Sequence, residues 1–552
     1  MQESGQATRP PGAVQSDLRA KYNDRERQGR RPDPAEDGVS NLPRDLAARR
    51  ALEEQVHRDE DAEAAGEERE GEIVERGGES HRKSPGLASG GLWQSKLYLV
   101  VLAVAAVYLI FPSNRFNADA LHYNLLGIMS VHDPGVLLRD EAVPTHLLWH
   151  LLTTAVLAVC RPATPEASLY ILRLVNILLA LAAIASFAKL VRSIAGVTAA
   201  AWATLVFAFS QACLENFLSV EVYALNTLVL VALYTAARRI LSGAPERQGA
   251  RDLLLITLLC GLAIAAHLTN VLLVPAVGVV LLLRDPRRGL WHALLFGLAV
   301  GAVILLVISG IARARSIDLP SAFAYFFNYS GKTGTYLTPD LFANFSAAAL
   351  SLGEAVVDRF GMWLAIPAAI FIAHAVRERR RLAGDLWIGG LVVHVAITGA
   401  LLSQWDPENT EHKIALIAPL LLLVTSIHAR IGIPLRRWAL AGSAALALSI
   451  VVAGFVDGIL PFTRLENDPL FRLSAEIHDR TEAEDVLVVG LASARTGHAV
   501  TLASMTFFGQ RVAVLSREDE RYDARLRDYE ARGFAVVRYE SGRVGEAEVR
   551  RP

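Results

Sequence analysis

From Leu97 onward the chain is built of apolar runs close to twenty residues long, separated by short polar connections. About 20 helical residues cross the hydrocarbon core of a bilayer. The runs at 97–112, 167–189, 196–213, 219–237, 252–266, 269–284, 291–311, 358–376, 385–402, 414–427 and 438–457 therefore predict a polytopic all-α membrane protein of about eleven transmembrane helices. The pair 252–266 and 269–284 is short and meets at His267-Leu-Thr-Asn270, which predicts half-length helices turning at one membrane face. The pattern changes at both ends. Residues 1–92 alternate charge with Gly and Pro, and Tyr22 is the sole aromatic. Such a segment buries too little apolar surface to offset its ordering entropy, and a disordered arm is expected. After Pro461 short β-branched runs at Asp485–Gly490, Arg511–Leu515 and Phe534–Arg538 alternate with helical stretches near 496–507 and 518–532, which predicts a small α/β domain over 461–552.

Charge then orients the segments. With the arm inside, the cytoplasmic connections carry Lys189 and Arg192, Arg238 and Arg239, Arg284 with Arg287 and Arg288, Arg377 with Arg379 to Arg381, and Arg430 with Arg436 and Arg437. Every one is basic, as the positive-inside rule requires. Arg313 and Arg315, at the outer end of a span, are the exception. The expectation is an integral inner (plasma) membrane protein with a cytoplasmic N-terminus and an extracytoplasmic C-terminal domain. No basic-then-apolar secretory segment opens the arm. The formal net charge of −1 provides no field for nucleic acid. Cys160, Cys213 and Cys260 lie far apart in or beside apolar runs and read as small core residues, not a disulfide framework.

The chemistry-bearing polar residues fall on the expected outer side. Asn117-Ala-Asp-Ala-Leu-His-Tyr123, running to Val131-His-Asp-Pro-Gly135, opens the external loop 113–166. It sets Asp119 and His122 at the membrane surface, where a carboxylate could take a proton from an attacking hydroxyl. Glu221 begins the span that carries Tyr223 and Asn226, and an ionisable group there costs on the order of 3 kcal/mol unless it faces a wet cavity or a partner. His267 and Asn270 stand three apart at the next outer turn. Gln404–Lys413 is an acid-rich loop ending in His412 and Lys413, and a lysine is a point-charge ligand for phosphate. Structural roles are open for the same residues: Asp119 as a solvated loop acid, Glu221 as a helix cap, His267 on a backbone carbonyl, and 404–413 as a plain connection. Gly331-Lys-Thr333 is not a phosphate loop, because Phe326 stands where its first glycine belongs, although Lys332 still adds charge. The Gly490–Gly497 turn likewise lacks a dinucleotide fingerprint.

Three stretches resemble the GT-C superfamily of membrane glycosyltransferases, and within it the DUF2723, protein O-mannosyltransferase-like group. Asp119-Ala-Leu-His-Tyr123 is similar to the first-loop acidic motif, Glu221-Val-Tyr-Ala-Leu-Asn226 to an E-V-Y-x-L-N motif, and Gly261–Asn270 to a G-L-x-x-x-x-H-x-T-N motif. The resemblance covers about residues 95–285 in motif and the remainder in layout. Two departures stand out: His122 occupies the place of the second acid of the family's D-x-G-E, and His132-Asp-Pro-Gly135 stands near where the family has H-P-P-G, with Asp140-Glu141 and Pro144-Thr-His146 as competing counterparts.

The resemblance implies a GT-C-like domain over 93–460 and inverting transfer from a polyprenyl-phosphate sugar to a protein, lipid or glycan acceptor, with Asp119 as catalytic base. The expected substrate-binding residues are His122, Tyr123, His132, Glu221, Tyr223, Asn226, His267, Asn270, Lys332 and Lys413. Lys413, Lys332, Arg315 and His267 are the candidate cations for the leaving phosphate. No cofactor is required by this reading, and a divalent cation is a candidate whose ligands the sequence does not name. Two other classes fit the same polar residues: a lipid or polysaccharide transporter with Glu221 and His267 as a proton relay, and an inactive homologue that scaffolds a cell-envelope assembly.

Overall fold

The computed structural model describes residues 87–139, 146–242, 250–284, 288–327, 341–356, 365–382, 384–405, 411–431, 437–481, 484–489, 494–515, 522–539 and 547–550. The expected arm up to residue 86, and Lys332, lie outside them. Six of the described helices are long and apolar enough to cross a membrane, and three shorter apolar helices accompany them.

The chain enters through α1 (Leu87–Ile110) and crosses an extended segment to α2 (Ala118–His132). It continues through α3 (Leu147–Cys160), α4 (Pro165–Phe209) and the short α5 (Gln211–Phe217). Next come α6 (Tyr223–Ser242), α7 (Ala250–Ala266), a tight turn at Leu268–Leu272, α8 (Leu273–Arg284) and α9 (Gly289–Arg315). The second half runs α10 (Leu341–Val356), α11 (Ala365–Arg377), α12 (Leu386–Trp405), α13 (Ile414–Ile431) and α14 (Arg437–Ala453).

Two readings of the pattern need correction. The predicted spans 167–189 and 196–213 meet without a loop inside α4, because the chain breaks direction at Gly196 alone. Its φ of +83° is a left-handed conformation that favours glycine. Unbroken, 45 residues would extend about 68 Å at 1.5 Å per residue, more than twice a bilayer core. The expected loop 113–166 is also largely helical. Its α3 has 14 residues, fewer than the roughly 20 that cross a bilayer core, yet Trp149, His150 and Leu157 are buried. Gly127 of α2 lets the two helices meet, since a Cβ there would stand 2.9 Å from Leu157 Cδ1. Within the expected loop 312–357, helices span Leu319–Phe327 and Leu341–Val356.

The C-terminal region begins with α15 (Pro469–Thr481) and contains β1 (Asp485–Val489), α16 (Ala494–Phe508), β2 (Arg511–Leu515), α17 (Tyr522–Ala531), β3 (Ala535–Tyr539) and β4 (Ala547–Arg550). Strand order is β2-β1-β3-β4, with β1 parallel to both β2 and β3 and with β4 antiparallel at the edge. The three predicted strands are present, and β4, with Glu548 and Arg550 among its four residues, is one the hydrophobic pattern did not show. Alternation sorts the strands onto two faces: Val486, Val488 and Val512 pack with Leu473 and Ile477 of α15 and Val500 of α16, whereas Leu487, Val489 and Leu515 pack with Leu526 of α17. The opposite side of α16 rests on the membrane helices. Leu502 and Ala503 join their core, and the Phe507 ring lies 6.0 Å from that of Phe116.

Candidate functional site

The extended segment before α2 is held by side chains from three distant parts of the chain. The Asn114 backbone N–H donates to the Phe462 carbonyl at 2.7 Å, and Arg173 Nη1 donates to the Ser113 carbonyl at 2.9 Å and to Asn114 Oδ1 at 2.5 Å. Ser219 Oγ donates to the Arg115 carbonyl at 3.0 Å, and the Arg115 guanidinium pairs with Glu215 at 2.7 Å. The buried carboxyl of Asp468 accepts from the backbone N–H groups of Phe116 (2.9 Å) and Phe471 (2.7 Å). Burial pushes the Asp468 carboxyl above its ordinary range, with these donors and Arg115 acting in the opposite direction.

This bracing fixes where α2 starts. Asn117 is its N-cap, with Oδ1 accepting from the Ala120 N–H at 2.7 Å. The other half of the same amide donates from Nδ2 to Glu221 Oε1 at 2.5 Å, so one side chain caps α2 and ties it to the residue two before α6. Glu221 is only 3% exposed. Asp119 stands in the first turn of α2 and is exposed, and an anion in that turn is favoured by the helix dipole.

Behind Asp119 lies a wall of imidazole and phenol rings. Tyr123 is 5.3 Å from His150 and 6.2 Å from His146, ring centre to ring centre. His146 is 4.7 Å from His267, which is 5.6 Å from Tyr223. His267 Nδ1 accepts from the Thr269 N–H at 3.3 Å and meets Thr269 Oγ1 at 2.7 Å, which assigns the proton of the neutral ring to Nε2. Burial, with His412 adding to it, lowers the His267 pKa to about 3. Burial, then His267 and His150, also hold His146 well below the ordinary imidazole range, against the Ala266 carbonyl. Burial thus disfavours a positive charge on both rings. Nδ1 of His146 is sealed from solvent and has no hydrogen-bond partner among the described residues. Deeper in, Asn270 Nδ2 donates to Asn226 Oδ1 at 2.5 Å and to the Ala263 carbonyl at 2.7 Å, locking α6 to the turn after α7.

Tyr123, Glu221, Tyr223, Asn226, His267 and Asn270 thus line or brace one region beside Asp119 and His122. His132 does not join it, because it ends α2 on an exposed face roughly 20 Å along the helix from Asp119. Lys413 is 1% exposed and follows His412, whose charge acts on both His146 and His267, so His412 lies beside the same wall. Sequence reasoning did not give His146 or His150 a role in the site, because helix α3 was hidden inside a loop. It also missed His498 of α16, whose ring lies 6.4 Å from that of His122, since nothing local to Gly497-His498 signals contact with residue 122. Among the described residues no group of three or more His, Cys, Asp or Glu side chains is arranged to hold a metal ion.

Residues 147–290 match the model of the family described as the protein O-mannosyl-transferase TMEM260 N-terminal domain. By fold the chain is similar to ArnT from Cupriavidus metallidurans bound to undecaprenyl phosphate, with a TM-score of 0.53 and 14% identity over 81% of this chain and 93% of that one. The apo state of the same protein gives a TM-score of 0.54 at 14% identity, over 82% of this chain and 93% of that one. The oligosaccharyltransferase from Archaeoglobus fulgidus is more distant, with a TM-score of 0.44 and 12% identity over 76% of this chain and 62% of that one. None of the curated proteins compared matches the chain by sequence. The chain is an integral membrane protein that shares its fold with ArnT, and its residues 147–290 match the TMEM260 N-terminal domain.

Proposed function

We propose that the chain is an inverting glycosyltransferase that moves a sugar from a polyprenyl-phosphate carrier to a hydroxyl of a protein, lipid or glycan acceptor. In this reaction the Asp119 carboxylate removes the acceptor's proton. The freed oxygen bonds to the anomeric carbon from the face opposite the carrier, and the bond from that carbon to the carrier's phosphate oxygen breaks with its electron pair. Polyprenyl phosphate leaves, and Asp119 returns its proton to water. The observation that carries this reading is the double role of Asn117, which starts the helix bearing Asp119 and fixes it to Glu221. A base held this way acts through positioning, which supplies a large share of a transfer barrier. His267 Nε2–H offers a neutral hydrogen bond to a sugar hydroxyl, while Lys413 supplies positive charge toward the phosphate. The ArnT relative was crystallised with undecaprenyl phosphate, which supports a carrier of that chemistry.

The site belongs on the extracytoplasmic face in this proposal. Arg238, Arg239, Arg284, Arg288 and Arg379 to Arg381 stand at the opposite ends of the same helices and their connections, as positive-inside insertion favours. Membranes containing wild-type or Asp119→Asn protein, supplied with radiolabelled polyprenyl-phosphate sugars with and without EDTA, test the whole reading. Turnover by wild type that is lost in the variant is the expected result, and the chelator arm reports any metal requirement. Normal expression with no turnover from any donor would reject the enzyme and favour transport or scaffolding.

A further inference from the structure

A second cavity lies away from the proposed active site, between α6, α7, α8 and α12. It is a narrow slot with a volume of about 70 Å³, and its walls are almost wholly apolar, formed by residues such as Ala237, Ile256, Ala276, Val280 and Leu391. Its position follows from helix geometry. Helix α6 starts at Tyr223 against His267, and the cavity touches α6 from Leu233 to Leu241. That is roughly 15 to 27 Å further along at 1.5 Å per residue. The other helices agree: α8 runs from the His267 turn to Arg284 at the cavity, and α12 begins at the cavity with Leu386 and Trp387. The cavity therefore occupies the half of the membrane domain that ends in arginines.

Polar groups are confined to its two ends. Tyr234 Oη and His394 Nδ1 hydrogen-bond each other at 2.8 Å and are both buried, which satisfies the polar groups at the inner end. At the end of the cavity nearest the arginine-bearing helix termini, Arg284 lines it and is steered by donation from Nη1 to the Ile240 carbonyl. The Arg238 guanidinium lies 5.8 Å from the ring centre of Trp387, another lining residue, and that ring is fixed by Nε1–H donation to Ser426 Oγ at 2.8 Å. An apolar slot among membrane helices accepts a hydrocarbon chain of any lipid. The Arg284 guanidinium on its lining and the Arg238 guanidinium beside Trp387 select the sign of the headgroup.

We infer that this cavity binds an anionic phospholipid of the leaflet opposite the active site, with one acyl chain between α6, α8 and α12 and its phosphate against Arg284 and Arg238. The site is separate from the donor carrier's, whose sugar must lie within reach of an acceptor held at Asp119, at the other end of α6.

The test uses the purified full chain, stripped of lipid in detergent, with dioleoyl-phosphatidylglycerol and dioleoyl-phosphatidylcholine as probes and bound lipid counted by native mass spectrometry. Wild type is expected to retain phosphatidylglycerol preferentially, with a preference that weakens at high salt. Arg238→Gln and Arg284→Gln should each lower phosphatidylglycerol affinity about fivefold and leave phosphatidylcholine unchanged. Ala276→Leu, which fills the slot from its wall, should reduce retention of both lipids, and thermal unfolding of each lipid-free variant confirms that it is folded. Equal retention of the two lipids by wild type would overturn the inference. So would a phosphatidylglycerol preference that survives both arginine substitutions, or stoichiometric displacement of phosphatidylglycerol by undecaprenyl phosphate, which would assign the slot to the carrier's tail. If one variant does not fold, the remaining variants and the wild-type headgroup comparison still decide the matter. Because the readout is lipid retention, it can fail while sugar transfer stands, and the reverse.

Discussion

Asn117 makes two contacts that substitutions can separate. Serine at 117 keeps the N-cap oxygen for the Ala120 N–H but is too short to reach Glu221, whereas alanine loses both contacts. Losing a cap costs about 1 kcal/mol. The tie to Glu221 has two magnitudes to choose between: about 0.6 kcal/mol for an average hydrogen bond between membrane helices, and about 1.5–3 kcal/mol for one to a charged group. The contact is 2.5 Å long and its acceptor is buried, which favours the larger figure. Asn117→Ser is therefore expected to lose about 1.5–3 kcal/mol and Asn117→Ala about 2.5–4 kcal/mol in detergent unfolding, summing the same two contributions. Transfer should fall further than stability in Asn117→Ser, because Asp119 sits two residues into the helix being released and a 1 Å misplacement of a reacting group can cost about a hundredfold. A cycle of Asn117→Ser, Glu221→Gln and the pair then isolates the contact, with a coupling of at least about 0.5 kcal/mol expected for touching residues. Strict additivity, together with wild-type transfer in Asn117→Ser, would show that residue 117 only caps α2 and would remove the bracing on which the proposed mechanism rests.

Three further outcomes follow from the site and the fold. Asp119→Asn should lower kcat by about 10²- to 10⁴-fold, the usual worth of a positioned base, and leave the melting temperature unchanged because the carboxylate is exposed; equal loss of both would make Asp119 structural. For His267, burial depresses the folded pKa to about 3, so between the ordinary 6.5 and that value the unfolded chain binds the proton first. Its stabilisation is complete above pH 6.5 and declines as pH falls, by about 2 kcal/mol at pH 5; melting curves of His267→Gln should therefore decline less steeply over that window, and parallel slopes would show that the ring takes up a proton without cost. Gly454→Ala should destabilise by about 1–3 kcal/mol, since its Cβ would stand 2.5 Å from the Phe209 carbonyl oxygen and 2.6 Å from Leu214 Cδ1, whereas Gly310→Ala, which meets nothing within 4 Å, should not.

Length and apolarity alone placed most of the long helices, because a bilayer imposes nearly the same number of residues on every crossing. The three parallel strands of the C-terminal sheet were equally legible, since buried parallel strands are short continuous apolar runs between turns. Neither rule sees a helix that is apolar but short. Leu147–Cys160 is held by Gly127 and Leu157 of the α2 contact and by the buried Trp149, contacts that arise only once the chain has folded back on itself. The break in α4 was hidden for a related reason. A single glycine with positive φ can reverse a helix without the polar loop that marks a boundary in sequence.

The same distinction divides the candidate site. Glu221, Tyr223, Asn226, His267 and Asn270 stood out because polar groups beside a span are conspicuous against an apolar background, and the turn joining α7 to α8 does bring them together. The parts that orient them carry no such signal. Arg173 lies within one predicted span, Ser219 at the start of another and Asp468 in a soluble connection, and nothing local marks any of them before it bonds the backbone of residues 113–116. Nor does anything in Phe507 or His498 announce that the soluble sheet packs α16 against the start of α2. A loop that is proposed to hold a base at a membrane surface cannot rely on its own short-range propensities, because water competes for each of its hydrogen bonds. Here the competition is met by partners up to 352 residues away in sequence. The C-terminal domain is for this reason part of what fixes Asp119, not an appendage to the membrane helices.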